Sequence, residues 1–317
     1  VGSEMCIRDS SNTDMKIRGN RFKYQTDLFD FNTNIPNWID VFLEKSQTIT
    51  VGGKMNFDMF TTSIWSDFFN KFDASEDTTS FVEVQIDKLK LDVNTLHFNQ
   101  ALFHDVEIQH LELKEQIDLH YVKAKGQGGD YYFENIKINN LDDGYSILTK
   151  GELNRISVDK LLYEFDDFEQ TYINSNQIKG EISSAFKASF FINPSKSFDL
   201  KSLTFNSDNS FQHVKLIDYN YIAEIVDYFD ESMITRNIVD IPYYKQKSKK
   251  IIFKPFRNNM SFKDGKLNIS PTYLENNMLN LNLKGTQTIS DSVDYYMSFN
   301  WKAVSYTHLR AHETVVY

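Results

Sequence analysis

The chain has 317 residues, a formal net charge of −10 and one cysteine, Cys6. An acidic balance excludes the basic face that grips nucleic-acid phosphates, and a lone cysteine excludes an internal disulfide framework. Aromatic residues make up 15% while Gly and Pro number only 12 and 5, which is a folded rather than a disordered composition; no apolar run reaches the roughly 18 residues of a membrane span.

From Lys16 to Asn32 the pattern predicts strands, carried by Ile17, Phe22, Tyr24, Leu28, Phe29 and Phe31. Asn34-Ile35-Pro36 opens a short helix, with Pro36 near its first position and Trp38, Val41 and Phe42 on one side. A strand is expected over Thr48–Met59, interrupted at Gly52-Gly53. A second short helix is expected over Ile64–Phe72, followed by a polar loop at Asp73–Thr79. The next strand alternates as Val82, Val84, Ile86, then Leu89, Leu91 and Val93. Its phase slips near Asp87-Lys88, which predicts a turn or bulge. Strands continue through Leu113, from Ile117 to Tyr121, over Tyr131–Ile138 and over Tyr145–Leu153, with a turn at Gly126–Gly129. Turn signals about ten residues apart predict a meander, not βαβ units.

Ser157 is expected to cap a helix carrying Val158, Leu161, Leu162 and Phe165. Strands follow at Ala185–Ile192, Leu200–Phe205 and His213–Ile217. Asp218 is expected to cap a helix whose apolar stripe is Ile222, Ile225, Val226 and Phe229. Ile238–Tyr244 and Ile251–Phe256 read as strands on either side of a basic loop, Lys245–Lys250.

The clearest pattern lies between Met260 and Trp301. Asp264-Gly265 between two alternating runs is a hairpin signal, because both turn positions tolerate positive φ. Alternation at period two places Leu267, Ile269, Leu279, Leu281, Leu283, Val293, Tyr295, Met297 and Phe299 on a common face. It leaves open whether that face is a closed core or the lining of a trough.

Catalytic signals are weak. His97, His104, His110, His120 and His213 lack metal-ligand spacing. The acidic pairs Asp142-Asp143, Asp166-Asp167 and Asp230-Glu231 sit at turns or helix ends, where solvation is the ordinary role. There is no GxSxG, P-loop, GxGxxG or HExxH pattern. The reading is therefore of a protein that is not an enzyme, with no catalytic, cofactor-binding or metal-binding residue and no cofactor. Lys245, Lys247, Lys249 and Lys250 form the one basic cluster, either a solvated loop or a contact for anionic headgroups.

Three stretches carry a family resemblance. One runs through Phe165, Phe168, Gln170, Lys179, Gly180, Ile182 and Ser183; the second is the pre-hairpin run "KLIDYNYIAEIVDYFD"; the third runs through Asp264, Gly265, Pro271, Leu279, Leu281, Gly285, Thr286, Thr288, Asp294 and Tyr295. Together they resemble the C-terminal region of AsmA-like envelope proteins in the form common in Bacteroidetes. The resemblance covers about residues 154–302. It departs from the family pattern at Gln287, where a histidine is usual, and at Asp166-Asp167. The implied fold is mainly β: a long twisted, curved antiparallel sheet, as a β-groove or open barrel-like meander, with three or four short amphipathic helices. The implied role is non-catalytic, in outer-membrane biogenesis and phospholipid transport between membranes. The implied location is the periplasm, with the parent protein anchored in the inner membrane by an upstream helix. The implied partners are phospholipid or another envelope lipid, and envelope proteins. Two other readings stay open: an envelope scaffold that binds proteins and no lipid, and a carbohydrate-active or carbohydrate-binding β-protein. An exposed aromatic platform flanked by two carboxylates would favour the last.

The two ends, "VGSEMCIRDS" and "VSYTHLRAHET", resemble translated sequencing-adapter read-through from metagenomic assembly. They are set aside as one sets aside a tag. The expected division is 1–10 adapter-derived, 11–153 a β-rich middle region, 154–303 the AsmA-like region and 304–317 adapter-derived. Both ends are expected to make few contacts.

Overall fold

The computed structural model describes residues 5–7, 15–43, 48–63, 83–98, 100–113, 116–141, 144–169, 173–192, 198–231, 240–288, 293–301 and 314–316. The described chain is mainly β, as the sequence predicts. It divides into two compact units, one of Val1–Gly126, Asp130–Gly151 and Ser189–Phe198, the other of Gln127–Gly129, Glu152–Ala188 and Asp199–Tyr317.

The first unit contains β1 (Met5–Ile7), β2 (Met15–Tyr24), β3 (Asp27–Ile35), α1 (Trp38–Phe42), β4 (Thr48–Thr61), β5 (Glu83–Phe98), β6 (Ala101–Leu113) and β7 (Gln116–Gly126). After these come β8 (Gly129–Leu141) and the start of β9 (Gly144–Ser157). Its ladders are antiparallel from β2 to β4 and from β5 to β7. The pair β4–β5 departs from the expected meander. It is parallel, with Met55 opposite Leu91 and Phe57 opposite Val93. A parallel pair needs a crossover, because a tight turn reverses the chain. The helix expected over Ile64–Phe72 falls in that connection and lies outside the described residues. The bulge expected at Asp87-Lys88 is present: the β5–β6 register shifts between Ile86 and Leu89, and Lys88 adopts φ 52°. Phe57, Leu89, Val93, Ala101 and Val106 are buried, and the Phe29 ring stacks on Phe57 at 5.2 Å.

The second unit holds the rest of β9, then α2 (Val158–Glu164), a 3₁₀ turn (Asp166–Glu169), β10 (Ile178–Ile192) as far as Ala188, β11 (Phe198–Ile217) from Asp199, α3 (Asn220–Glu231) and α4 (Ile241–Ser248). It ends with β12 (Lys250–Ile252), β13 (Phe256–Lys263), β14 (Lys266–Glu275), β15 (Leu279–Thr288), β16 (Val293–Trp301) and β17 (Thr314–Val316). Three expectations are corrected here. The strands expected at Leu200–Phe205 and His213–Ile217 are one strand of 20 residues. Residues 241–248 are helical rather than extended. Asp240 caps α4 by accepting the Tyr243 N–H at 3.1 Å, and Pro242 sits in its first turn. Ser157 stands at the start of α2 but makes no side-chain cap; its hydroxyl donates to Asp159 Oδ1 at 2.7 Å instead.

The terminal stretches each add a short strand. β1 pairs with β2, Met5 opposite Gly19, and β17 pairs with β16, Val316 opposite Met297. The free edge of a sheet offers a row of unpaired N–H and C=O groups, and any extended segment can pair with it.

Candidate functional site

The register of β13 to β16 sets the candidate face. Phe262 stands opposite Leu267 and Met260 opposite Ile269. Leu267 faces Gln287, Ile269 faces Gly285 and, beyond a bulge, Leu274 faces Leu281. Leu281 in turn faces Phe299, Leu283 faces Met297 and Gly285 faces Tyr295. Opposed residues of an antiparallel pair point the same way. The register therefore puts Leu267, Ile269, Leu279, Leu281, Leu283, Val293, Tyr295, Met297 and Phe299 on one face. Val293 and Phe299 are placed by register alone, since their side chains lie outside the described residues.

That face is not sealed by the described residues. Leu267, Ile269, Leu279, Leu281, Leu283 and Tyr295 are half-buried, and Met297 is 38% exposed. Among the described residues its Leu279 end is roofed. Val226 of α3, Tyr244 of α4 and Met278 form a buried cluster against which Ile222, Tyr243 and Leu279 pack. Lys245 ties α4 to α3, with its ammonium 2.8 Å from Asp230 and 3.0 Å from Asp227. Those two carboxylates, Asp230 first, hold the Lys245 pKa above the ordinary lysine value.

Gly285 allows the close approach of β16. A Cβ there would come within 2.7 Å of Tyr295 Cα. The Tyr295 hydroxyl donates to Gln287 Oε1 at 2.9 Å, and burial pushes its pKa up.

The face extends further than the sequence suggests. Across β13 it reaches β11, where Phe205 faces Phe262, Ser207 faces Met260, Asn209 faces Asn258 and Phe211 faces Phe256. The Phe211 and Phe256 rings stack at 4.7 Å, and Phe186 of β10 lies 5.8 Å from Phe205. Between these aromatic walls sit Ser184, Ser207, Asn209 and Asn258, all buried. Ser184 donates to Asn209 Oδ1 at 2.7 Å; Asn209 Nδ2 donates to Ser207 Oγ at 2.9 Å and to Asn258 Oδ1 at 3.1 Å. This polar valley has no counterpart among the expected site residues.

The four lysines do not act as one free cluster. Lys245 is engaged as above, and the Lys247 ammonium lies 5.5 Å from the Tyr243 ring centre, in cation–π range. Lys249 and Lys250 are exposed, and their ammonium groups make no ion pair among the described residues.

One aromatic pair with a carboxylate beside it lies in the first unit, where the rings of Tyr121 and Tyr132 are 6.0 Å apart. Lys123 covers it, 4.5 Å from the Tyr121 ring centre. Glu107 beside it already accepts from the Tyr121 hydroxyl at 2.8 Å and from the Gln109 amide, bonds that hold its pKa below the usual carboxylate range. His110 and His120 stack at 5.6 Å, but among the described residues no group of three or more His, Cys, Asp or Glu could hold a metal ion. No helix among them is long and apolar enough to cross a membrane.

No family model, curated protein or solved structure matches the chain.

Proposed function

We propose that the second unit binds the hydrocarbon tail of an envelope lipid along the face of β13 to β16, and that the parent protein moves phospholipid between membranes as AsmA-like envelope proteins do. The observation that supports this reading is the partial exposure of the face. Leu267, Ile269, Leu279, Leu281, Leu283 and Tyr295 are half-buried and Met297 opens to solvent, whereas residues of a closed core would be almost wholly withdrawn from water, as Thr272 and Leu274 on the same face are.

The physical case needs no chemistry. At about 0.8 kcal/mol per CH₂, a sixteen-carbon tail costs on the order of 13 kcal/mol to expose to water. A continuous apolar strip removes most of that barrier. Periplasmic location, inner-membrane anchoring of the parent and a role in outer-membrane biogenesis follow from the same resemblance and belong to the same proposal.

The test is native mass spectrometry of the chain after secretion into the periplasm of a Gram-negative host. Adducts that release acyl lipids on activation are the expected result. A protein that stays free of lipid, even after incubation with phospholipid vesicles, would sink the reading. Capture of envelope proteins without lipid would point to the scaffold alternative.

A further inference from the structure

The polar valley interrupts an otherwise apolar face, and its hydrogen-bond inventory is lopsided. Asn209 uses both amide hydrogens, on Ser207 Oγ and Asn258 Oδ1, and its own Oδ1 accepts from Ser184. That leaves the neighbours with donors to spare. Among the described residues, the Asn258 amide nitrogen donates to nothing, and the Ser207 hydroxyl, which accepts from Asn209, also donates to nothing. Asn258 is 9% exposed and Ser207 6%. The Asn258 nitrogen is nevertheless not sealed off, since among the described residues the one buried side-chain polar atom without a partner is Asn280 Oδ1.

A donor that loses water on binding and gains no acceptor weakens the complex, whereas one that meets an acceptor does not. Three hydrogens here have no protein partner among the described residues, two on the Asn258 amide and one on the Ser207 hydroxyl, and a ligand that covers the valley strips them of water. They lie on the same face as the leucine rows, because Asn258 and Met260 alternate in step on β13 and Met260 faces Ile269. Phe211 and Phe256 wall the valley on one side. A molecule that fits this surplus presents acceptors and no hydrogens to the valley, and hydrocarbon to the rest of the face.

We infer that the Ser207–Asn258 valley binds the carbonyl oxygen at the head of an acyl chain, so that the face takes acyl-ester amphiphiles in preference to tails lacking a carbonyl. This rests on the proposed lipid-binding role of the face and adds a chemical selection to it. Valley donors hold the linkage, the leucine rows of β14 to β16 hold the tail, and the chain beyond the linkage needs no protein contact.

The probes are lauroyl lysophosphatidylcholine and its 1-O-dodecyl ether analogue, which differ only in the carbonyl. Both are titrated below their micelle concentrations into the full chain and followed by native mass spectrometry. One unmet hydrogen bond predicts roughly fivefold or greater preference for the ester. Asn258→Asp keeps the oxygen that accepts from Asn209 and deletes the two free hydrogens; it is expected to bring the ester down to the affinity of the ether while the ether is unchanged. Ser207→Ala is the second variant, expected to shrink the preference. Laurate is the third probe, since a carboxylate is also an acceptor; tighter binding than the ester would support the valley and name a free fatty acid as the source of the oxygen. Equal affinity of wild type for ester and ether overturns the inference and leaves the lipid-binding face standing, and so does a preference that survives in folded Asn258→Asp. Binding of neither lipid overturns both. The wild-type comparison decides the matter even if a variant fails to fold.

Discussion

The buried carboxylate of Asp27 accepts the backbone N–H of Thr61 on Oδ2 at 2.9 Å and the Thr61 hydroxyl on Oδ1 at 3.2 Å. Asp27 is wholly withdrawn from solvent and begins β3, whereas Thr61 ends β4. The pair therefore pins the chain where it leaves β4 for the crossover to its parallel neighbour. Asp27→Ala is expected to cost about 2–4 kcal/mol, since it strands a donor that the carboxylate now satisfies. Asp27→Asn should cost less, because one acceptor survives although the amide opposes a donor. Urea unfolding of both variants is the check, and an unchanged midpoint for the alanine variant would show that the tether carries no weight.

Gly285 makes the second prediction. Its φ is +155°, and an added Cβ would meet Tyr295 Cα at 2.7 Å and Asp294 O closer still. Gly285→Val is expected to push β15 from β16 and cost about 1–3 kcal/mol. Faster amide exchange in residues 293–301 is the specific sign. Slow exchange there, in a variant otherwise stable, would mean that the strands have room to spare.

A third prediction concerns alkaline pH. Burial, with Tyr243 and Asp240 adding to it, pushes the Tyr244 phenol up to about 12 from an ordinary 10. Between those values the unfolded chain releases the proton and the folded chain keeps it, so the folded state binds more protons and stability falls as pH rises. The contribution is whole below pH 10 and gone above pH 12. Lys245 acts in the same direction: its raised pKa gives stability present below the ordinary lysine value of 10.5 and lost as pH climbs through the folded one. Melting temperature should therefore drop across pH 10–12, and Tyr244→Phe should flatten the slope. An unchanged slope in that variant assigns the titration elsewhere.

The fourth prediction separates core from trough at Leu281. In a closed core, Leu281→Asp would bury an unpaired charge and cost several kcal/mol, enough to unfold a marginal domain. On a face open to water the carboxylate stays hydrated, so the variant is expected to remain folded while photo-crosslinking to a diazirine phospholipid falls. If both melting and crosslinking match wild type, the side chain is not on the binding face.

The sequence was most legible where packing follows period two without interruption. Within the strands between Met260 and Trp301 apolar residues recur at every second position, broken by turns and by the bulge after Ile269, and the observed register keeps them on one face. The Asp264-Gly265 turn closes as expected, with Lys263 opposite Lys266. Legibility failed where the inward residues are themselves polar. Ser207 and Asn209 sit in a Ser/Asp/Asn run that reads as a loop, yet their inward hydrogen bonds let β11 run on unbroken. It failed at α4 for a different reason. Ile241, Tyr243 and Tyr244 have high strand propensity, and tertiary context overrode it; the better signal was Asp240 before a proline in the first turn. The lysines of that segment then fell on a helix, which brought Lys245 to Asp227 and Asp230 of α3. The parallel pairing of β4 with β5 was out of reach, because alternation reports which face a residue takes and not the direction of the neighbouring strand.

That parallel ladder also bears on how the chain folds. β13 to β16 are joined hairpin to hairpin, so their contacts lie close along the sequence, Lys263 with Lys266 and Gln287 with Val293. Thr48 must instead find Glu83, and Thr61 must find His97. Loop-closure entropy is lost before such distant pairs return anything, and contact order sets the rate accordingly. The meander of the second unit is thus expected to gain exchange protection early in refolding, on the time of hairpin formation. The β4–β5 seam should close late, and the Asp27–Thr61 bonds would then act as its final latch.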